Sequence, residues 1–184
     1  QQSRKIEDTH TMPFETPFNK GLPRLELMTL GAINVLSKND KGFFLMIEGG
    51  AIDWAAHDNQ SDRLIEEMTD FLNTVSSVIA WIETNSSWDE TLLIVTSDHE
   101  CGFLWGRGGN HTHKAIKNNG KGKIPDMKWY SGDHANMLVP LYSKGPGTNI
   151  LELFADEFDP VHGRYIQNTE IAQTVFLLWG KPMK

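Results

Sequence analysis

The spacing of apolar residues along the chain predicts helices alternating with short buried strands. Leu25, Met28, Ala32 and Leu36 recur at helical intervals behind Pro23, a residue suited to a first helical turn, so 23–38 is expected to be a helix. Asn39-Asp40-Lys41-Gly42 reads as a turn, and Phe43 to Ile47 is a continuous apolar run, as in a strand buried on both faces. From Ser61 to Glu83, Leu64, Met68, Phe71, Val75, Val78 and Ile82 form one stripe, widened by Ile65, Leu72 and Ile79. After a loop at Ser86-Ser87-Trp88-Asp89, Thr91 to Thr96 reads as a second buried strand. Met137 to Tyr142 reads as a third, with Pro140 marking an edge or irregular position. Asn168 is placed to cap a closing helix that runs to Trp179 and ends at Gly180 and Pro182. Strands alternating with helices imply an α/β fold whose sheet is covered on its faces.

Two stretches break this pattern. Residues 1–22 are polar and interrupted by Pro13, Pro17 and Gly21, and read as an extended arm. Between Gly102 and Gly132, glycine, asparagine and basic residues (Arg107, Lys114, Lys117, Lys121, Lys123 and Lys128) dominate, which predicts a long irregular excursion.

Composition narrows the classes. The 184 residues suffice for one domain with a core, and 39% hydrophobic with 22% charged residues is a globular balance. A net charge of −7 argues against nucleic acid as the main partner. No apolar run approaches the roughly 20 residues of a membrane span. The start, Gln1-Gln2-Ser3-Arg4-Lys5, has neither an initiator Met nor an apolar signal-peptide core, as expected of a processed or truncated start. The single cysteine, Cys101, excludes an intrachain disulfide without fixing the compartment.

The chemistry concentrates at the ends of the expected strands, where α/β sheets build their sites. Glu48 follows the first strand, and Asp98 and His99 follow the second. Asp53 and His57 stand four apart and share a face if that segment is helical. Carboxylate oxygens with imidazole nitrogens suit zinc and magnesium. Asp98 and His99, being adjacent, reach one ion only on a non-helical backbone. Two ions about 4 Å apart would clamp the attacking and leaving oxygens of an in-line phosphoryl displacement. Each piece has a bland alternative: a helix-surface pair for Asp53–His57, a strand-end cap for Asp98-His99, a turn for Glu48. Their joint placement at strand ends favours a metal site. His134, which precedes the third strand, reads on its own as a loop histidine. His111-Thr112-His113 reads as solvated loop, as do Arg107 and Lys114, which could otherwise draw anions to a site mouth. Cys101 reads as a small buried hydrophobe before a thiolate ligand. Trp54 either lines a site entrance or packs. His10 and His162 read as structural or surface residues, with a supporting role for His162 left open.

Gly42-Phe-Phe-Leu-Met-Ile-Glu48-Gly-Gly-Ala-Ile-Asp53 through His57 resembles the metal-binding segment of alkaline phosphatases. Leu92-Leu-Ile-Val-Thr-Ser-Asp98-His99-Glu100 resembles that family's second metal-binding strand, and Gly132-Asp-His134-Ala-Asn-Met-Leu-Val-Pro-Leu-Tyr its final ligand segment. The segments beginning at Pro23 and at Gly163 are similar to the helix before the first motif and to the entry of the C-terminal helix. The resemblance covers roughly 20–180 and, with the long loop before His134, is greatest to bacterial enzymes of marine Vibrio type. It implies a three-layer α/β/α fold, here its C-terminal part over 1–184, with an insert loop at 102–133. By resemblance, Asp53, His57 and His134 would hold one zinc, Asp98 and His99 a second, and Glu48 would help hold magnesium. The family hydrolyses phosphate monoesters through a phosphoserine intermediate, and its members are usually periplasmic or secreted homodimers.

The departures are specific. The family's Asp-Ser-Ala nucleophile segment, the arginine after it and the early Asp-Asn-Gly segment do not occur in these residues. The first zinc site is thus expected complete, the second one ligand short and the magnesium site mostly absent. The chain alone is expected to be inactive. A non-catalytic zinc-binding or structural fragment is the alternative of a different class. A phosphodiesterase, sulfatase or mutase of the same superfamily is the alternative enzyme, disfavoured by the Glu48 motif.

Overall fold

The computed structural model describes residues 12–109 and 112–181. The first half of the N-terminal arm, with His10, therefore lies outside the described residues, as do His111 and Pro182. The elements in order are α1 (Leu25–Leu36), α2 (Ala51–His57), α3 (Ser61–Asn85), β1 (Leu93–Val95), β2 (Glu100–Cys101), β3 (Leu104–Trp105), β4 (Lys128–Trp129), β5 (His134–Ala135), β6 (Tyr142–Lys144), α4 (Thr148–Phe154), β7 (Glu157–Asp159), β8 (Gly163–Tyr165) and α5 (Asn168–Leu178). The strands pair two by two, as β1–β6, β2–β5, β3–β4 and β7–β8. No described helix is long and apolar enough to cross a membrane. The chain divides into two compact units: residues up to Ile79 with Cys101–Ala135, and Ala80–Glu100 with the residues from Asn136 onward.

In the first unit, α1 buries Thr29 and Ile33 and leaves Met28 exposed, so the helix is turned about one position from the expected stripe. The larger correction concerns α3. Its expected apolar stripe does not form the buried face of its first four turns. Asp62, Arg63, Glu66, Glu67, Asp70 and Thr74 are buried instead, and Met68 and Leu72 are exposed. Specific partners offset the cost of burying these charges. Arg24 donates to Asp70 at 2.9 Å, the Phe14 amide to Glu66 at 2.6 Å, and Arg63 to the Gln60 side-chain oxygen at 2.8 Å. Glu67 is less well served. Burial raises its pKa above the usual 4.5, opposed by Arg63 and reinforced by Asp70 and Glu66.

Phe43–Ile47 is a second correction, because it lies in none of the four ladders and Phe44 and Met46 are exposed. A strand exists only as part of a ladder, and an apolar run specifies burial without specifying a partner. The 102–132 excursion is more ordered than its composition suggests. Leu104 faces Trp129 and Trp105 faces Lys128 across an antiparallel ladder, and Lys117 bridges Asp126 further out. Phe103, Trp105 and Tyr130 cluster there, with ring centroids 4.4 Å (Phe103–Trp105) and 5.8 Å (Phe103–Tyr130) apart.

In the second unit, β1 pairs antiparallel with β6, Ile94 opposite Ser143. The expected third strand begins only at Tyr142. Pro140 cannot donate to a ladder, and its carbonyl instead accepts from the Thr96 hydroxyl at 3.1 Å. The closing helix is capped by Gln167, not Asn168. Gln167 and Glu170 form a reciprocal capping box, with the Gln167 amide donating to Glu170 at 2.6 Å. The helix stops at Gly180, as expected, with φ +61°. The β7–β8 hairpin and α4 had no sequence signal strong enough to call. Asp159 ties the hairpin turn by accepting from the amides of His162 and Val161, and these bonds hold its pKa below the usual value. The His162 ring rests 3.0 Å from the same carboxylate.

Candidate metal centre

Three segments of the first unit build the centre: 48–57, 101–102 and 132–135. Gly49 and Gly50 lead into α2 at close quarters. A Cβ on Gly49 would stand 3.0 Å from the Phe71 ring, and one on Gly50 would stand 3.1 Å from the Glu48 carboxylate. α2 then places Asp53 in its first turn and His57 in its last. As the spacing predicts, both face one way: Asp53 Oδ2 is 3.4 Å from His57 Nε2. His134 lies in β5, within a ladder that the sequence reading did not foresee, and its Nε2 is 3.2 Å from Asp53 Oδ1.

Gly132 orients the first of these histidines. His57 Nδ1 stands 2.6 Å from the Gly132 carbonyl. A carbonyl only accepts, so Nδ1 carries the proton, and in the neutral ring Nε2 keeps its lone pair. That lone pair points at His134 Nε2, 2.9 Å away. A backbone carbonyl on the far nitrogen is the usual outer support of a metal-bound histidine. Asp53 Oδ1 is sealed from solvent and accepts no well-aligned hydrogen bond, although His134 Nε2 stands close. Two imidazoles thus converge on a buried carboxylate oxygen that accepts no hydrogen bond. A divalent cation would satisfy it, and carboxylate with imidazole is a donor set of the kind zinc takes.

Among the described residues, the ligand atoms of Asp53, His57, Cys101 and His134 all lie within 4.8 Å of one another. Cys101 is the member that sequence reasoning set aside. Its signal was the Asp98-His99-Glu100-Cys101 spacing, which on a β-strand gives no reason to bring residue 101 beside Asp53. Its Sγ donates to the Asp53 carbonyl at 3.8 Å. Gly102, at φ +84°, turns the chain directly afterwards. Its amide donates to the Asp133 carbonyl at 3.0 Å, so residues 101 and 134 are held side by side.

Glu48 is exposed and does not join this group. Asp98 and His99 belong to the second unit. There they follow β1 on non-helical backbone, as expected, with His99 Nε2 at 3.2 Å from Asp98 Oδ2 and the Asp98 side chain largely exposed. Trp54 is exposed. His113 rests edge-on against Trp105, and Arg107 pairs with Asp126 at 2.7 Å in solvent, which supports the loop reading for both.

Comparison with known proteins agrees with these motifs. The family model described as alkaline phosphatase matches residues 6–157. Alkaline phosphatase 4 of Bacillus subtilis is 43% identical over 88 residues, 47% of this chain and 18% of that protein. The human tissue-nonspecific isozyme is 31% identical over 129 residues, 70% of this chain and 22% of that protein. Among solved structures, alkaline phosphatase from the Antarctic bacterium TAB5 superposes with a TM-score of 0.63 at 26% identity, covering 90% of this chain and 43% of that one. A mutant of the TAB5 enzyme with magnesium bound also gives 0.63 at 26% identity, covering 86% and 42%. The matched part of the chain thus corresponds to less than half the length of these relatives. With motifs, fold and family match in agreement, the chain belongs to the alkaline phosphatase family and carries part of that family's α/β fold.

Proposed function

We propose that this chain is the metal-binding C-terminal part of a zinc- and magnesium-dependent alkaline phosphatase acting on phosphate monoesters. The observation that supports this most is the convergence of Asp53, His57 and His134 on one point, with His57 Nδ1 tied to Gly132. Bound zinc would supply a Lewis acid that stabilises the leaving oxygen and lowers the pKa of water. The chain's own part is positional. α2 fixes Asp53 and His57 on one face, Gly132 sets the His57 tautomer, and β5 brings in His134.

Asp98 and His99 supply two ligands of the second zinc in this reading, and Glu48 one of magnesium. The remaining ligands and the serine that carries the phosphoryl group lie outside these 184 residues. The 102–133 segment is an insert within the domain. The complete enzyme is periplasmic or secreted and a homodimer.

The test is hydrolysis of p-nitrophenyl phosphate, with zinc and magnesium, by the longest product of the reading frame and by the 184-residue chain. The longer product should turn over, fall at least about a hundredfold with His57→Ala, and contain an Asp-Ser-Ala segment. The short chain should stay at background. Comparable turnover by the short chain, or none by the metal-loaded longer product, overturns the proposal.

A further inference from the structure

The first unit offers more donors than the three that the family resemblance assigns. We propose that Cys101 is a fourth ligand, and that its thiolate closes the Asp53–His57–His134 centre around zinc or another thiophilic divalent ion. This rests on the metal-centre reading above and extends it to a residue that the resemblance leaves without a role.

Geometry carries the inference. Ligand bonds of 2.0–2.3 Å place the donors of a tetrahedral site roughly 3.3–3.8 Å apart. The imidazole and carboxylate donors are already 2.9 Å to 3.4 Å apart. Cys101 Sγ completes a set of four within 4.8 Å, about 1 Å wider than the spacing a tetrahedral site requires. The backbone beside it is held on two sides. The Gly102 amide is bonded to Asp133, and a Cβ on Gly102 would stand 2.5 Å from the Trp129 ring. Sγ meanwhile donates to the backbone carbonyl of Asp53, itself a member of the set. A buried cysteine acting only as a small hydrophobe would face apolar neighbours, whereas this one faces a carboxylate residue and two imidazoles. On binding, the S–H bond breaks, its proton leaves to solvent, and the sulfur lone pair forms the metal bond.

The consequence is chemical. Three protein ligands leave a position open for water or substrate, and four close the site. With Cys101 bound, this chain holds its metal in a closed, structural arrangement. Substrate would then have to displace the thiolate.

Cobalt(II) is the probe, because thiolate coordination gives a near-ultraviolet charge-transfer band separate from the visible bands of the ion. Titration of the 184-residue chain should raise both to one cobalt per chain. Cys101→Ser should abolish the near-ultraviolet band, keep the visible bands and weaken zinc binding about tenfold or more, ~1.4 kcal/mol. Because the chain has one cysteine, the reaction of its thiol with a chromogenic disulfide reads the same contact. Zinc should slow that reaction at least about tenfold in the native chain but not in His57→Ala. Cobalt bound in a His57-dependent way without the near-ultraviolet band overturns the role of Cys101 and leaves the three-ligand centre standing. No His57-dependent cobalt binding at all overturns both.

Discussion

His57 Nδ1 stands 2.6 Å from the carbonyl oxygen of Gly132, 75 positions along the chain. That bond fixes the proton on the far side of the ring and turns the Nε2 lone pair toward Asp53 and His134. It also explains the position of the metal motif's third member. The loop that ends in Gly132 must return to the C-terminus of α2 before His134 can contribute. His57→Gln should therefore lose more than one ligand's worth of binding, because a glutamine does not reproduce both the bond to Gly132 and the reach to His134. Zinc affinity is expected to fall at least about tenfold to a hundredfold, measured by competition with a chromogenic chelator. An affinity within about twofold of the native chain would remove His57 from the centre.

Gly102 makes the turn of that loop beside Cys101. Its φ of +84° is unfavourable for side chains, and an added Cβ would meet Trp129 ring carbons at 2.5 Å and the Ala56 carbonyl at 3.1 Å. Gly102→Ala should cost about 1–3 kcal/mol or more. It should also separate Trp129 Nε1 from the Ser61 hydroxyl, to which it now donates at 2.8 Å. Urea unfolding followed by tryptophan fluorescence checks this, and an unchanged midpoint would contradict it.

The buried polar face of α3 makes a pH prediction. Burial raises the pKa of Glu67 above 4.5, so between 4.5 and that raised value the folded chain binds more protons than the unfolded chain. Stability contributed by Glu67 is thus greatest at low pH and falls as pH rises through the window. Glu67→Gln should flatten this slope and raise stability at neutral pH relative to the native chain. Unfolding midpoints at several pH values check it, and a variant that is less stable at pH 7 with an unchanged slope would overturn it.

The capping box of α5 is the simplest stability test in the second unit. Glu170 accepts from the Gln167 amide at 2.6 Å, and its backbone amide is served by Gln167 in return. Glu170→Ala removes the half of the box that serves the Gln167 amide and should cost about 0.5–1 kcal/mol, read as a lower melting temperature. No change would show that the box contributes nothing.

The long helices α1, α3 and α5 and the shared face of Asp53 and His57 were legible in the sequence because they depend on local spacing, whereas α4 and the buried face of α3 were not. The four-residue interval of Asp53 and His57 needs only one helical turn, and α2 supplies it. The bend at Asp98-His99 follows from the end of a strand. What was not legible depends on partners. Phe43–Ile47 reads as a buried strand because apolar runs signal burial, yet no ladder among the described residues includes it. Met68 and Leu72 read as core, yet α3 is turned so that Arg24 and the Phe14 amide can reach Asp70 and Glu66. Cys101 reads as inert because its neighbours in space, Asp53 and His134, are 48 and 33 positions away. Phe44, Met46, Met68 and Leu72 are exposed in the first unit, where the sequence pattern alone predicts burial.

Native mass spectrometry of the purified chain after zinc addition tests the central claim most directly, because it counts metal ions per folded molecule. One tightly held zinc per chain, lost in His57→Ala while the charge-state distribution of a folded chain persists, is the result expected of the Asp53–His57–His134 centre. A folded chain that takes up no zinc, or one that keeps its zinc when His57 is gone, would contradict it.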